Sequence, residues 1–288
     1  MEKVGNVYTD SQDEQNIFPR ITAKWLRNHC RKHGLYQTPH LNEVLYLQHQ
    51  GFQNIELLEE YTGIKSLWLD HNRLANVSGL NTMTNLKCLF IRNNYLTTLS
   101  GIECLSQLVI LDVSNNELKE INEIELLKNL TTLYIGNNKL SETSSIEPLP
   151  RCKSLSTLDL SKNRLSDYKT ILNLLSSISQ LSVLYLLGNP VVRSIDSYRL
   201  QITVCCKNLT FLDEKPIQAN DRFCAKAWLK SGIKGIRQEK ARQKDVEDLE
   251  MIIYVLRKFT PQDNTGMENT ENSANLVDIP QVKILFNE

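Results

Sequence analysis

The residues of this 288-residue chain best suited by type to chemistry are His29, Cys30 and His33, and the pair Asp112 and Asp159. Two imidazoles and a thiol within one helical turn are zinc ligands by type. Two carboxylates are the groups most used for general acid–base work. Neither set is completed. No second ligand cluster accompanies the first, and all five histidines (His29, His33, His40, His49 and His71) fall early in the chain. The spacing of His29, Cys30 and His33 is explained by one side of a short packed helix. Asp112 and Asp159 sit between strand leucines two repeats apart, where solvation at the strand edge or bonding to neighbouring repeats is their expected role. No G-x-x-x-x-G-K-[ST] phosphate loop and no nucleophile motif occurs. The expectation is a protein with no catalytic residue, no cofactor and no metal.

The elements that would have to position any site are set by a repeat. Asn72, Asn94, Asn116 and Asn138 recur every 22 residues in the phrases LWLDHNRL, LFIRNNYL, LDVSNNELK and LYIGNNKL. Looser copies place Asn163 and Asn189, and a degenerate one, LYLQHQGF, puts Gln50 in the same slot. A fixed period of this length with L-x-L-x-x-N-x-L is the signature of a leucine-rich repeat. Leu67 and Leu69 alternate with Ser66, Trp68 and Asp70, so a short strand has one face inward and one outward. The asparagine follows where the chain leaves the strand, and a buried carboxamide there can pair with backbone groups that the turn leaves open. Val77, Leu80, Met83 and Leu86 then recur at intervals of three, which keeps one face of a helical or 3₁₀ segment on the core. No single repeat buries that face, so stability must come from stacking. Beyond Asn138 the period lengthens to 25 and then 26 residues, and TILNLLSSISQL predicts an α-helix there.

The fold class expected is therefore α/β: a right-handed, curved leucine-rich-repeat solenoid. Its parallel strands line the concave face, its 3₁₀ and α segments the convex face, and helical caps close both ends. Residues 1–20 read as a flexible N-terminus, 21–40 as a helical cap opened by Thr22, and 41–192 as about seven repeats. Residues 193–219 read as a C-terminal repeat cap with Tyr198, Ile202, Val204 and Cys205 inward, followed by a helix over 220–260. Phe223, Cys224, Ala227 and Trp228 are placed towards the solenoid, with Gly232 and Gly235 weakening that helix. Residues 261–288 are polar and expected to be disordered.

Composition bounds the partners. Thirty-three basic and 33 acidic residues leave no net field for nucleic acid, and no apolar run approaches a bilayer span. The first 20 residues lack the apolar core of a signal peptide, and seven irregularly spaced cysteines without a C-x-x-C pair fit free, packed thiols in a reduced compartment. A basic run from Lys226 to Lys244 reads as a solvated helix face or as contact with an acidic partner such as a tubulin tail.

The surface singled out for binding is the outward strand column Tyr46, Trp68, Phe90, Asp112, Tyr134, Asp159 and Tyr185, with Arg92 alongside. Aromatic residues on a rigid exposed face serve interfaces as anchors, and they also stack on one another to shield a sheet.

Outside the repeats, the entry HGLYQTPHLNEVLYLQHQGF, the close GNPVVRSIDSYRLQITVCCKNLTFLDEKPI and the following NDRFCAKAWLKSG resemble the axonemal dynein assembly factor 1 family. That resemblance implies a non-enzymatic scaffold in the cytoplasmic preassembly of dynein arms, located in cytoplasm and cilium. It implies dynein arm subunits, co-chaperones or other assembly factors as partners, with no small-molecule substrate and no membrane insertion. The 22-residue repeat is similar to that of a protein phosphatase 1 regulator, and a related solenoid and cap occur in a spliceosomal protein. A phosphatase-targeting subunit, and behind it a ribonucleoprotein adaptor, are the alternatives.

Overall fold

A computed structural model of the chain describes residues 18–259, so the expectations for residues 1–17 and 260–288 lie outside the described residues. The chain divides into two compact units after Lys240. Among its described residues the first contains nine strands in one sheet whose spatial order is their sequence order. Strands β1 (Val44–Tyr46), β2 (Ser66–Trp68), β3 (Cys88–Phe90), β4 (Ile110–Asp112), β5 (Thr132–Tyr134), β6 (Thr157–Asp159), β7 (Val183–Tyr185) and β8 (Phe211–Leu212) run parallel. The short β9 (Lys215–Pro216) turns back antiparallel on β8. Leu67 pairs with Leu89, and Leu89 with Leu111, so the register repeats the sequence period without a slip. This is an open solenoid sheet.

Each repeat contributes the same inward set. Leu67, Leu69, Leu74, Leu80, Met83 and Leu86 are all wholly buried, and their counterparts in the following repeats join them in one continuous core. The return path is made of single i→i+3 turns: Met83 N–H donates to the Leu80 carbonyl at 2.9 Å and Leu86 N–H to Met83 at 3.0 Å. Short 3₁₀ pieces at Ile102–Cys104, Ile124–Leu126, Thr143–Ile146 and Leu149–Arg151 continue this pattern. Where the period lengthens, α2 (Tyr168–Ser177) forms, capped by Asp167 and burying Ile171, Leu172, Leu174 and Leu175. The 25-residue copy, interrupted by Pro148 and Pro150, forms only 3₁₀ pieces, whereas the 26-residue copy has the capping Asp167 and apolar residues at helical spacing.

The asparagines form the ladder that the period implies. Asn94 Nδ2 donates to Ile91 in its own repeat at 3.2 Å and to Leu69 in the preceding one at 3.0 Å, while its Oδ1 accepts Leu74 N–H at 3.0 Å. Asn72, Asn116, Asn138, Asn163 and Asn189 repeat the arrangement. The slot preceding them holds Gln50, whose side-chain amide instead donates to its own Gln48 carbonyl.

Both ends of this unit are covered. Helix α1 (Ala23–Lys32) begins at Thr22, whose hydroxyl accepts Trp25 N–H at 3.1 Å. It inserts Leu26 and Cys30 into the core, and Trp25 packs edge-on against Phe52 with ring centres 5.0 Å apart. His29 is buried as expected, but His33, expected on the same face, is exposed because it stands at the helix end. At the other end come α3 (Val191–Ser194), α4 (Tyr198–Cys205) and the part of α5 (Ala219–Phe259) that lies before residue 241. In α4 the inward residues are Ile202 and Thr203, with Cys206 just beyond. Of the other residues expected there, Tyr198 and Cys205 are half-buried and packed against the core, and Val204 is half-buried. The Thr203 hydroxyl turns back to its own helix, donating to the Arg199 carbonyl at 2.7 Å, which lets a polar residue occupy the inner face.

Helix α5 breaks at Ser231 and Gly232, where Gly232 takes φ +59°. Its inward residues are Cys224 and Ala225, with Ala227 and Trp228 half-buried, whereas Phe223, expected inside, is 46% exposed. In the second unit the described residues 241–259 are helical, and Leu249, Met251, Ile252, Ile253 and Tyr254 are exposed. Among the described residues no helix is long and apolar enough to cross a membrane.

Candidate functional site

Alternation in the strands puts Tyr46, Trp68, Phe90, Asp112, Tyr134, Asp159 and Tyr185 in one outward column. The parallel register stacks each directly on the next. Trp68 and Phe90 lie nearly parallel with ring centres 4.0 Å apart, and Tyr46 leans on Trp68 at 6.1 Å. Tyr185 continues to Phe211 at 5.9 Å. This stacking leaves Tyr46 exposed and the other six half-buried, so the rings both shield the sheet and present their remaining faces.

The parallel column two residues on is less uniform than the strand pattern suggests. Asp70, expected to point outward, is buried: it accepts Arg92 N–H at 2.9 Å and pairs with the Arg92 guanidinium at 3.4 Å. Burial pushes its carboxyl up, and Arg92 draws it back. Gly136 in the same column is also buried. A Cβ there would lie 2.9 Å from Asp159 Oδ2 and 3.0 Å from Ser161 Oγ, so only glycine lets the Asp159 carboxylate lean across.

Asp112 and Asp159 bond to the preceding repeat through their backbone carbonyls, but their carboxylates stay within their own repeat. Each accepts the N–H two residues on in its own strand exit, Ser114 at 3.0 Å and Ser161 at 2.8 Å. Between them stands Tyr134, whose phenol is pushed up by burial first and then by Tyr185 and the two aspartates.

A further column escaped the sequence reading. His49, His71, Asn93, Asn115, Asn137, Lys162 and Gly188 all have positive φ, at the point where each strand turns into its loop. Their N–H groups extend the ladder, as when Asn115 donates to Gly136 at 2.9 Å. Side chains of the first five make rim contacts: His49 on His71 at 4.3 Å, Asn93 Nδ2 to His71 Nε2 at 3.1 Å, and Asn137 Nδ2 to Asn115 Oδ1 at 2.7 Å. The signal was available, since asparagine and glycine tolerate the left-handed region best.

Of His29, Cys30 and His33 only the two imidazoles come together, with ring centres 4.3 Å apart, while the thiol turns to the core. Cys30 faces Tyr61 OH at 3.6 Å, and His29 stacks on Trp25 at 4.5 Å. Among the described residues no group of three or more His, Cys, Asp or Glu could hold a metal.

The Asp221–Trp228 stretch is tied to the cap that precedes it. Asp221 accepts Gln218 N–H at 3.1 Å and pairs with Arg199 at 3.4 Å, while Arg222 donates to the Thr203 carbonyl at 3.3 Å and to the Leu209 carbonyl. The first turn of α5 thereby satisfies carbonyls left open by α4 and the last half-repeat.

Two models of the repeat match the chain: Leucine-rich repeat over residues 103–241 and Leucine Rich repeats (2 copies) over residues 62–104. The human protein dynein axonemal assembly factor 1 is 60% identical over 246 residues, covering 83% of this chain and 34% of its own length. A Drosophila erecta protein named dynein axonemal assembly factor 1 homolog is 53% identical over 230 residues, covering 79% of this chain and 15% of its own. The chain thus spans well under half the length of these relatives. Among solved structures, an internalin from Listeria monocytogenes aligns with a TM-score of 0.48 at 24% identity, covering 58% of this chain and 47% of that one.

Proposed function

The chain belongs to the leucine-rich-repeat family, and from that premise we propose that it is a non-enzymatic protein-binding scaffold acting in the cytoplasmic preassembly of axonemal dynein arms. The observation that carries the reading is the 60% identity to a relative named for that process, over 83% of the chain. The aligned span is long enough to take in the whole stacked sheet. The geometry supports a scaffold. Its hydrogen-bonded ladders leave little backbone free to move, and a rigid frame binds with small conformational change. The exposed column supplies aromatic anchors at fixed spacing. Its partners are dynein arm subunits, co-chaperones or other assembly factors, and it works in the cytoplasm and at the cilium.

The test is removal of the gene product from ciliated cells, read by electron microscopy of axonemes. Missing dynein arms with otherwise intact microtubule doublets support the reading. A full set of arms contradicts it. Recovery of a phosphatase catalytic subunit as the main bound protein points to the targeting-subunit alternative.

A further inference from the structure

We propose that the concave face takes a segment of its partner that carries an aromatic or large apolar side chain and, further along, an arginine or lysine. This rests on the reading of that face as the docking surface, and it adds the chemistry and polarity of the occupant.

The face is not uniform along its length. At the N-terminal half the stacked Trp68 and Phe90 offer apolar area, and the nearby carboxylate, Asp70, is buried and neutralised by Arg92. At the C-terminal half acid and phenol alternate as Asp112, Tyr134, Asp159 and Tyr185. Among the described residues neither Asp112 nor Asp159 is in an ion pair, although Asp70 one column away has one. No lysine or arginine occupies an outward strand position from Ile110 to Leu187. The backbone N–H bonds hold one oxygen of each carboxylate, fixing the group without neutralising it, and Gly136 clears the space into which Asp159 leans.

Tyr134 lies one strand from each aspartate, so the two carboxylates flank its ring about 10 Å apart at the usual strand spacing. A ring face attracts a cation, and flanking carboxylates strengthen that attraction. An acidic segment would meet two uncompensated charges there. From Tyr134 the aromatic stack begins two strands away at Phe90 and ends three away at Trp68, about 10–14 Å, which is about three to four residues of an extended segment or about six to nine of a helix. The occupant therefore has both an orientation and a spacing.

The experiment is selection of randomised dodecapeptides against the full chain, followed by affinity measurement on the wild type and two variants. The expected winners combine an aromatic or large apolar residue with arginine or lysine. Their affinity drops roughly tenfold on D112N/D159N, and separately on W68A/F90A, with both variants folded by circular dichroism. Salt weakens binding to the wild type and much less to D112N/D159N. Winners that are lost on W68A/F90A but indifferent to D112N/D159N overturn this inference and leave the docking face standing. Winners indifferent to both variants, or no winners at all, overturn the docking face as well.

Discussion

The carboxamide oxygen of Asn94 accepts the backbone N–H of Leu74, twenty residues earlier, at 3.0 Å. One side chain thus fastens the exit of its own strand to the exit of the strand before. Replacing Asn94 with alanine leaves that N–H unpaired in a buried place and takes one of two amide donors from each of the Leu69 and Ile91 carbonyls, which Asn72 and Asn116 still serve. The expected loss is about 2–4 kcal/mol, read by chemical denaturation. Asn94→Asp should cost at least as much, because a carboxylate cannot donate to carbonyls.

The N-terminal cap makes stability depend on pH. Burial, then the nearby His33 and Lys32, holds the His29 imidazole below its usual 6.5, while a hydrogen bond to the Tyr46 backbone pulls the other way. The neutral ring is favoured in the folded chain, so its contribution is complete above pH 6.5 and is lost as pH falls below that value towards the folded one. Unfolding free energy should therefore be lower at about pH 5.5 than at about pH 7.5, and His29→Gln should flatten the difference. An equal pH dependence in the variant would assign the effect to other groups.

The thiols report packing. Burial, aided by Glu125, pushes Cys152 up to about 11, and burial with Cys205 pushes Cys206 up to about 12. Both should resist iodoacetamide at neutral pH in the native chain and react once it is unfolded, as mapped by peptide mass spectrometry.

Gly136 and Asp159 should be coupled. Gly136→Ala forces the carboxylate away from its place, at an expected cost of roughly 1–3 kcal/mol. Removing the carboxylate as well, in G136A/D159A, should recover part of that loss. Strict additivity of the two changes in a double-mutant cycle would show that the contact carries no energy.

The sheet, its register and its core were legible because one period governs all of them: counting from Asn72 locates Leu67, Leu69 and Leu80 without further information. The outward column was legible for the same reason. The lengthened copy also declared its helix, through Ile171, Leu174 and Leu175. What escaped were the contacts between repeats. Nothing in the phrase LWLDHNRL says that Asp70 is covered by an arginine 22 residues later. Nor does a helical period separate Thr203 from Val204, since a threonine bonded to its own backbone costs little to bury. The role of Gly136 depends on where a neighbouring side chain leans, which no single repeat specifies.

The central claim, that the exposed strand face of this chain serves dynein-arm assembly, is tested most directly in cells lacking the endogenous protein. They are re-supplied with either the wild type or W68A/F90A at matched abundance, and axonemes are examined by electron microscopy. The wild type should restore dynein arms, and the variant, soluble and folded, should leave them absent or sparse. A full complement of arms with W68A/F90A would contradict the account.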